Sequence, residues 1–290
     1  MSILESITLE NHVQKWNGII NNCEWMLLCG DSKAALSQIP NESVDCIITS
    51  PPYYSLRDYG VDGQIGLEDT VDEYVNSICN VMDEAFRVLR KDGLLFLNLG
   101  DTYYSGKGMS HGRDLKSHKR RFGLRPVDKS GGLGANIGRK SIIGIPWRVA
   151  IEMIHRNWIL RAPIIWHRDK ALPESVKDRP RRSYEYIFMF AKDRKYYFDR
   201  SPLIEKQIDE DVWTIIPRPS GSEINTAPYP DELVERCLSI GCRPGGVVLD
   251  PFVGSGTTMK VALKNGHGAI GVDINREFCE YALKHIEGGL

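Results

Sequence analysis

Residues 49–53 read Thr-Ser-Pro-Pro-Tyr, and residues 250–258 read Asp-Pro-Phe-Val-Gly-Ser-Gly-Thr-Thr. Proline lacks an N–H and fixes φ, and it holds the preceding residue extended. The carbonyls of Ser50 and Pro51 therefore form a rigid acceptor surface, and Tyr53 offers a face for a planar group to stack on. An exocyclic amine has N–H donors to place there and a lone pair to free for attack on a methyl group. A proline turn capping a strand, with Tyr53 and Tyr54 packed on the core, fits the same residues.

The second motif joins a strand to a helix. Gly254 and Gly256 let the backbone approach a ligand, and a helix N-terminus offers free N–H groups to an anion. A dinucleotide fingerprint needs a third glycine where Met259 stands, and a phosphate loop needs a lysine the motif lacks. A carboxylate suits a helix N-terminus as well as a phosphate does. The next strand ends at Asp273, about 20 residues on, where an acid can accept from ribose hydroxyls. An adenosine-bearing ligand with a carboxylate is S-adenosylmethionine. The glycines alone are compatible with a tight turn, and Asp273 in register favours the ligand.

The elements that must hold these motifs alternate. At the C-terminal end, 245–250 and 268–273 read as strands, each followed by a helix, 256–266 and 275–286. At the other end, 24–30 is a strand, 31–39 a short helix and 43–49 a strand. Residues 71–93 form a long amphipathic helix closed by a basic turn and Gly93. Strands are also expected at 94–100, 158–167 and 184–192. The pattern predicts one α/β domain over residues 1–290, a mostly parallel sheet of seven strands with helices on its faces. Two stretches break it. Residues 103–140 are Gly-rich and basic, and 201–230 carry Pro, Ser and Gly with little periodicity, so both read as loops or small subdomains at the sheet edge.

Among 290 residues, 37 Lys and Arg stand against 38 Asp and Glu, a net charge of −1. Any affinity for nucleic acid must then come from local patches. Lys107, Arg113, Lys116, Lys119, Arg120 and Arg121 supply one, suited to phosphate contact; a solvated charged loop is the alternative. The start has no basic flank, apolar stretch or cleavage site of a signal peptide, and no apolar run approaches a membrane span. The seven cysteines are scattered and odd in number, which points to free thiols in a reducing cytoplasm. No metal site is expected: His111, His118, His155 and His167 lack Cys or His partners at ligand spacing.

Together Gly30-Asp31 with Leu36, the 49–53 motif and the 250–258 motif resemble the S-adenosylmethionine-dependent DNA amino-methyltransferases, in the order of their beta class. The resemblance covers residues 24 to 286. "LRDYG", "LNLGD", "IPWRVA" and "PESVKDRP" look like stretches of restriction-modification and phage members. The resemblance implies a Rossmann-like methyltransferase fold, circularly permuted, with recognition insertions. It implies that Phe252, Gly254, Gly256, Thr257 and Thr258, in the loop with Asp250 and Ser255, wrap the methionine end of the cofactor. Asp273 would take the ribose and Asp31 the adenine amine, while residues 227–238 would form the helix flanking the pocket. The region between "YYFDR" and "APYP", where beta-class enzymes often recognise their target, is short here. Recognition is therefore assigned to 103–140 and 201–226 together.

The activity implied is methyl transfer to the exocyclic amine of a base flipped out of double-stranded DNA. Ser50, Pro51, Pro52 and Tyr53 would form the catalytic loop. Members with Ser before Pro-Pro are mostly cytosine-N4 enzymes and those with Asp mostly adenine-N6 enzymes, so cytosine N4 is expected and adenine N6 is the alternative. C5-cytosine chemistry needs a Pro-Cys loop, and no cysteine here follows a proline. More remote readings are a non-catalytic cofactor- and DNA-binding protein and a protein-glutamine methyltransferase, which uses an Asn-Pro-Pro-Tyr loop. The setting implied is the cytoplasm of a bacterium, an archaeon or a phage-infected host. A cognate restriction endonuclease is a further expected partner, and a homodimer stays open.

Overall fold

The structure is a computed structural model and describes residues 13–104, 137–138, 140–169, 176–217 and 228–288. Along the chain run β1 (Gln14–Ile20), β2 (Cys23–Cys29), α1 (Ser32–Ser37), β3 (Val44–Thr49), α2 (Val71–Val88), β4 (Leu89–Leu99), α3 (Ile145–His155), β5 (Ile159–Arg168) and β6 (Tyr184–Ala191). They are followed by α4 (Ser201–Glu205), β7 (Val212–Ile215), α5 (Asp231–Gly241), β8 (Val247–Asp250), α6 (Thr257–Lys264), β9 (Gly268–Asp273) and α7 (Arg276–Gly288). The strands form one sheet in the order β1-β2-β9-β8-β3-β4-β6-β5-β7. Its centre, β2-β9-β8-β3-β4, is parallel throughout.

Among the described residues the sheet has nine strands rather than seven. The first addition, β1, pairs antiparallel with β2 through a turn in which Asn21 and Asn22 have φ of 52° and 61°. Two successive left-handed residues make the turn whose twist suits a two-residue hairpin, and Asn tolerates that conformation. The second, β7, lies in the stretch expected to be loop. Only four residues long, it runs parallel to β5 and buries Trp213. Residues 201–217 are thus sheet edge, while 218–227 lie outside the described residues. The long helix stops at Val88, and the basic run 90–93 belongs to β4 because Leu89 turns extended and pairs with Val44.

Apolar side chains fill both faces of the sheet. One core joins it to α1, α2 and α3, the other to α4, α5, α6 and α7. The C-terminal strands β8 and β9 lie between the N-terminal β2 and β3. This is the permuted order expected from the motifs. It gathers the ends of β2, β9, β8, β3 and β4 on one edge, where ligands of open α/β sheets bind.

Candidate active site

The ends of β3 and β8 are tied together by a buried carboxylate. Asp250, 2% exposed, accepts from the Thr49 hydroxyl at 2.7 Å and from the Phe252 N–H at 3.0 Å. Its other oxygen accepts from Thr258 at 2.7 Å and from Tyr229, just before α5, at 3.1 Å. The Thr258 and Tyr229 hydroxyls also lie within hydrogen-bond reach of each other. Burial lifts the carboxyl above the ordinary carboxylate range although all four donors oppose the rise. Thr49 immediately precedes the Ser-Pro-Pro-Tyr loop, and Thr258 lies in the first turn of α6. One side chain therefore fixes the two motifs against each other. Thr49 heads the 49–53 motif and Tyr229 lies within 227–238, but the sequence gives neither a role of its own, since each partner is remote along the chain.

The glycine loop then opens toward the strand ends. Gly256 has φ +83°, and a Cβ there would lie 3.1 Å from that of Ala282. Helix α6 begins with no side-chain cap, so its first N–H groups remain for an incoming anion. Ser255 is buried with its hydroxyl 3.3 Å from that of Thr257, and its carbonyl meets His285. Phe252 is half-buried against the core. Asp250, Ser255 and Thr258 thus turn their side chains inward, and what they can offer a cofactor is backbone and placement.

Asp273 ends β9. Its carboxylate accepts from Gly254 N–H at 2.9 Å and Asn275 N–H at 2.8 Å, one on each oxygen. A carboxylate oxygen takes two bonds, so each retains a lone pair. Burial raises this group to about 6 against the pull of both amides. Asp31 is exposed at the end of β2, where one oxygen caps α1 through Ala34 N–H at 2.9 Å. A backbone bond from Gly30 to Asp273 ties the end of β9 to the residue before Asp31. An uncapped helix start, a glycine cradle and two acids with open lone pairs fit the carboxylate and hydroxyls of an adenosyl amino acid.

Ser50, Pro51, Pro52 and Tyr53 leave the end of β3. The Tyr74 hydroxyl donates to the Pro52 carbonyl at 2.7 Å, which pins the loop to α2. The carbonyls of Ser50 and Pro51 meet no donor among the described residues. The Tyr53 ring lies over Gly100, where a Cβ would come within 2.6 Å of it. Tyr54, by contrast, is buried in the core. The Tyr53 hydroxyl donates to Glu185 on β6 at 2.7 Å and lies 3.2 Å from Asn98 Oδ1 on β4. Burial and the Glu185 charge push its phenol well above the usual value. Arg168 on β5 donates to the other Glu185 oxygen at 2.8 Å.

Asp101, one residue beyond Gly100, accepts from the backbone of Gly144 and Ile145 and so caps α3 across the chain. This joins "LNLGD" to "IPWRVA". Beside it, Arg182 donates to the Asp101 carbonyl and Arg179 lies 3.9 Å over the Tyr103 ring. Lys107, Arg113, Lys116, Lys119, Arg120 and Arg121 fall outside the described residues. Asn98, inside "LNLGD", and Glu185, inside the expected strand 184–192, were likewise given no role from sequence, nor was Arg168, though a lone acid inside "YEYIFMFA" is a visible signal. No helix among the described residues is long and apolar enough to cross a membrane.

Residues 44–284 match the family profile of the N6/N4 methyltransferases, described as DNA methylase. The type II methyltransferase M.Cfr9I of Citrobacter freundii is 39% identical over 266 residues, spanning 89% of this chain and 86% of its own. M.SmaI of Serratia marcescens is 39% identical over 269 residues, 90% of each. Among solved structures, the PvuII DNA methyltransferase, titled cytosine-N4-specific, has a similar fold (TM-score 0.69, 20% identity, 89% of this chain and 85% of that one). The Thermus thermophilus protein TTHA0409, solved with S-adenosyl-L-methionine, superposes with a TM-score of 0.62 at 24% identity, over 90% of this chain and 93% of that one.

Proposed function

We propose that the methyl acceptor is the N4 amine of cytosine, the premise being that this chain belongs to the N6/N4 DNA methylase family and is a DNA amino-methyltransferase of the restriction-modification type. Its cofactor is S-adenosylmethionine, which when bound supplies a methyl group on a sulfonium centre. The uncapped start of α6 and the Gly254–Gly256 turn would hold the amino-acid end, with Asp273 on the ribose and Asp31 on the adenine.

The base must leave the duplex for its amine to reach the site, at a cost of a few kcal/mol. Ser50 and the Pro51 carbonyl would accept its two N–H groups, which draws the nitrogen lone pair out of conjugation. Tyr53 supplies the ring against which the base lies. The Asp250 joint carries this reading: through Thr49 and Thr258 it places the amine socket next to the cofactor loop. Fixed geometry of this kind lowers the barrier without covalent chemistry on the base. Ser50 favours cytosine, as in family members with Ser before Pro-Pro; its hydroxyl accepts from the amine as a neutral group, where an aspartate would accept as an anion. The basic patch between 107 and 121 would add phosphate contacts, with 201–226 sharing recognition of the target. Action in the host cytoplasm beside a cognate endonuclease belongs to the same proposal.

The test is transfer of tritiated methyl from S-adenosylmethionine to unmethylated genomic DNA and, separately, to total protein. Label in DNA alone is expected. Label in protein alone would move the activity to an amide, and no label in either would remove it.

A further inference from the structure

We propose that Glu185, oriented by Arg168, is a positioning residue of the transfer: it accepts the hydrogen bond of the Tyr53 hydroxyl and thereby turns the Ser50 oxygen toward the base as an acceptor. This rests on the methyl-transfer reading above and concerns the same site.

The Glu185 side chain is 13% exposed and that of Arg168 22%. Burying such a pair is at best weakly stabilising, because desolvation offsets the attraction. Stability alone therefore does not explain its place at the tip of the catalytic loop. Counting protons gives it a role. The Tyr53 hydroxyl has one proton and three oxygen neighbours: Ser50 Oγ at 3.5 Å, Asn98 Oδ1 at 3.2 Å and Glu185 Oε2 at 2.7 Å. The shortest contact, to the carboxyl group that Arg168 holds, receives the hydrogen bond. Asn98 cannot reverse this. Its Nδ2 donates to the Tyr186 carbonyl at 3.0 Å and to Glu185 at 3.3 Å, and the flipped amide would set oxygen against both acceptors.

With its proton committed, the Tyr53 oxygen offers Ser50 only a lone pair. Ser50 then donates inward, and its own lone pairs face outward. An amine is a donor, so this is the polarity it needs. If the Tyr53 proton turned to Ser50 instead, the serine proton would point at the base. Both Glu185 oxygens are engaged by side chains of the site, one by Arg168 and the other by Tyr53 and Asn98. It therefore acts through Tyr53 and not on the base.

Glu185→Gln separates charge from shape. The glutamine carbonyl would face Arg168, its amide N–H₂ would face Tyr53, and the polarity of the chain would reverse. At saturating cofactor and DNA, the single-turnover rate of E185Q should fall about tenfold or more, a loss typical of a misdirected hydrogen bond at a reacting centre. Cofactor affinity, read by calorimetry, should stay within about twofold, since no Glu185 contact reaches the glycine loop. Tyr53→Phe should also be slowed about tenfold or more, and E185Q added to it should cost less than about threefold further, because groups acting in series are non-additive. A wild-type rate in E185Q, a cofactor affinity lost in step with the rate, or independent effects in the double variant would overturn the proposal. If E185Q does not fold, Tyr53→Phe carries the test, and a wild-type rate there would overturn it. The unaltered protein is assayed first: no transfer from it overturns the methyl-transfer reading and this one together, while transfer that ignores E185Q overturns this one alone.

Discussion

Asp250, buried, and Glu185, part-buried, are carboxylates at the active edge of the sheet, one on the cofactor side and one on the base side. Asp250 is surrounded by neutral donors, three hydroxyls and an amide, drawn from the ends of β3 and β8, from α6 and from the segment before α5. Glu185 is paired with a guanidinium and orients a single tyrosine. The first arrangement joins segments, so losing it should loosen both halves of the site. The second sets the direction of a proton on a loop that Tyr74 and Gly100 already fix in place. A shared carboxylate chemistry thus serves assembly on one side and polarity on the other.

Asp250→Ala should have the largest effect. It removes the acceptor shared by three buried hydroxyls, of which Thr258 and Tyr229 still reach each other and the Ile48 carbonyl; with a stranded donor worth about 1–3 kcal/mol, urea unfolding should show a loss of about 2–4 kcal/mol. Cofactor binding and transfer should fail together. A stable variant that lost only one of them would break the distinction between joint and orienter.

Gly256→Val is confined to the cofactor side. The positive φ and the approach of Ala282 leave no room for the side chain. Calorimetry should register a loss of about 100-fold or more in S-adenosylmethionine affinity, equivalent to about 3 kcal/mol.

Asp273 sharpens the contrast through pH. Its folded value of about 6 lies above the ordinary 3.8. The native state therefore binds the extra proton between those values, so this group's contribution to stability falls as pH rises through that window. Ribose hydroxyls need the ionised form. Cofactor affinity should drop about tenfold from pH 7 to pH 5 in the wild type, following the ionised fraction, and stay flat in Asp273→Asn.

The smallest effect is expected at Asp31. Asparagine caps helices as well as aspartate does, so Asp31→Asn should leave the melting temperature in place and weaken cofactor binding by about 1 kcal/mol. Asp31→Ala should lower both. Equal melting temperatures in the two variants would show that the cap to Ala34 contributes nothing.

The two motifs were legible because each is contiguous and its chemistry is local: missing proline donors, glycine conformations, a helix start. Strand alternation likewise indicated the parallel centre of the sheet, and the order of the motifs indicated the permutation. What holds the motifs together was not legible. Thr49 meets Asp250 across 201 residues and Tyr53 meets Glu185 across 132. Such pairs arise from strand adjacency, which hydrophobic periodicity does not encode. The edge strands escaped for another reason. β1 is half-buried at best and turns on two asparagines, and β7 has only four residues, too few for an alternation to register.

The assignment of the acceptor is tested most directly by the product. Genomic DNA methylated by the purified protein is digested to nucleosides and resolved by mass spectrometry. An acceptor socket headed by Ser50 predicts N4-methylcytosine. N6-methyladenine in its place would contradict the cytosine assignment and show that Ser50 does not set the choice of base.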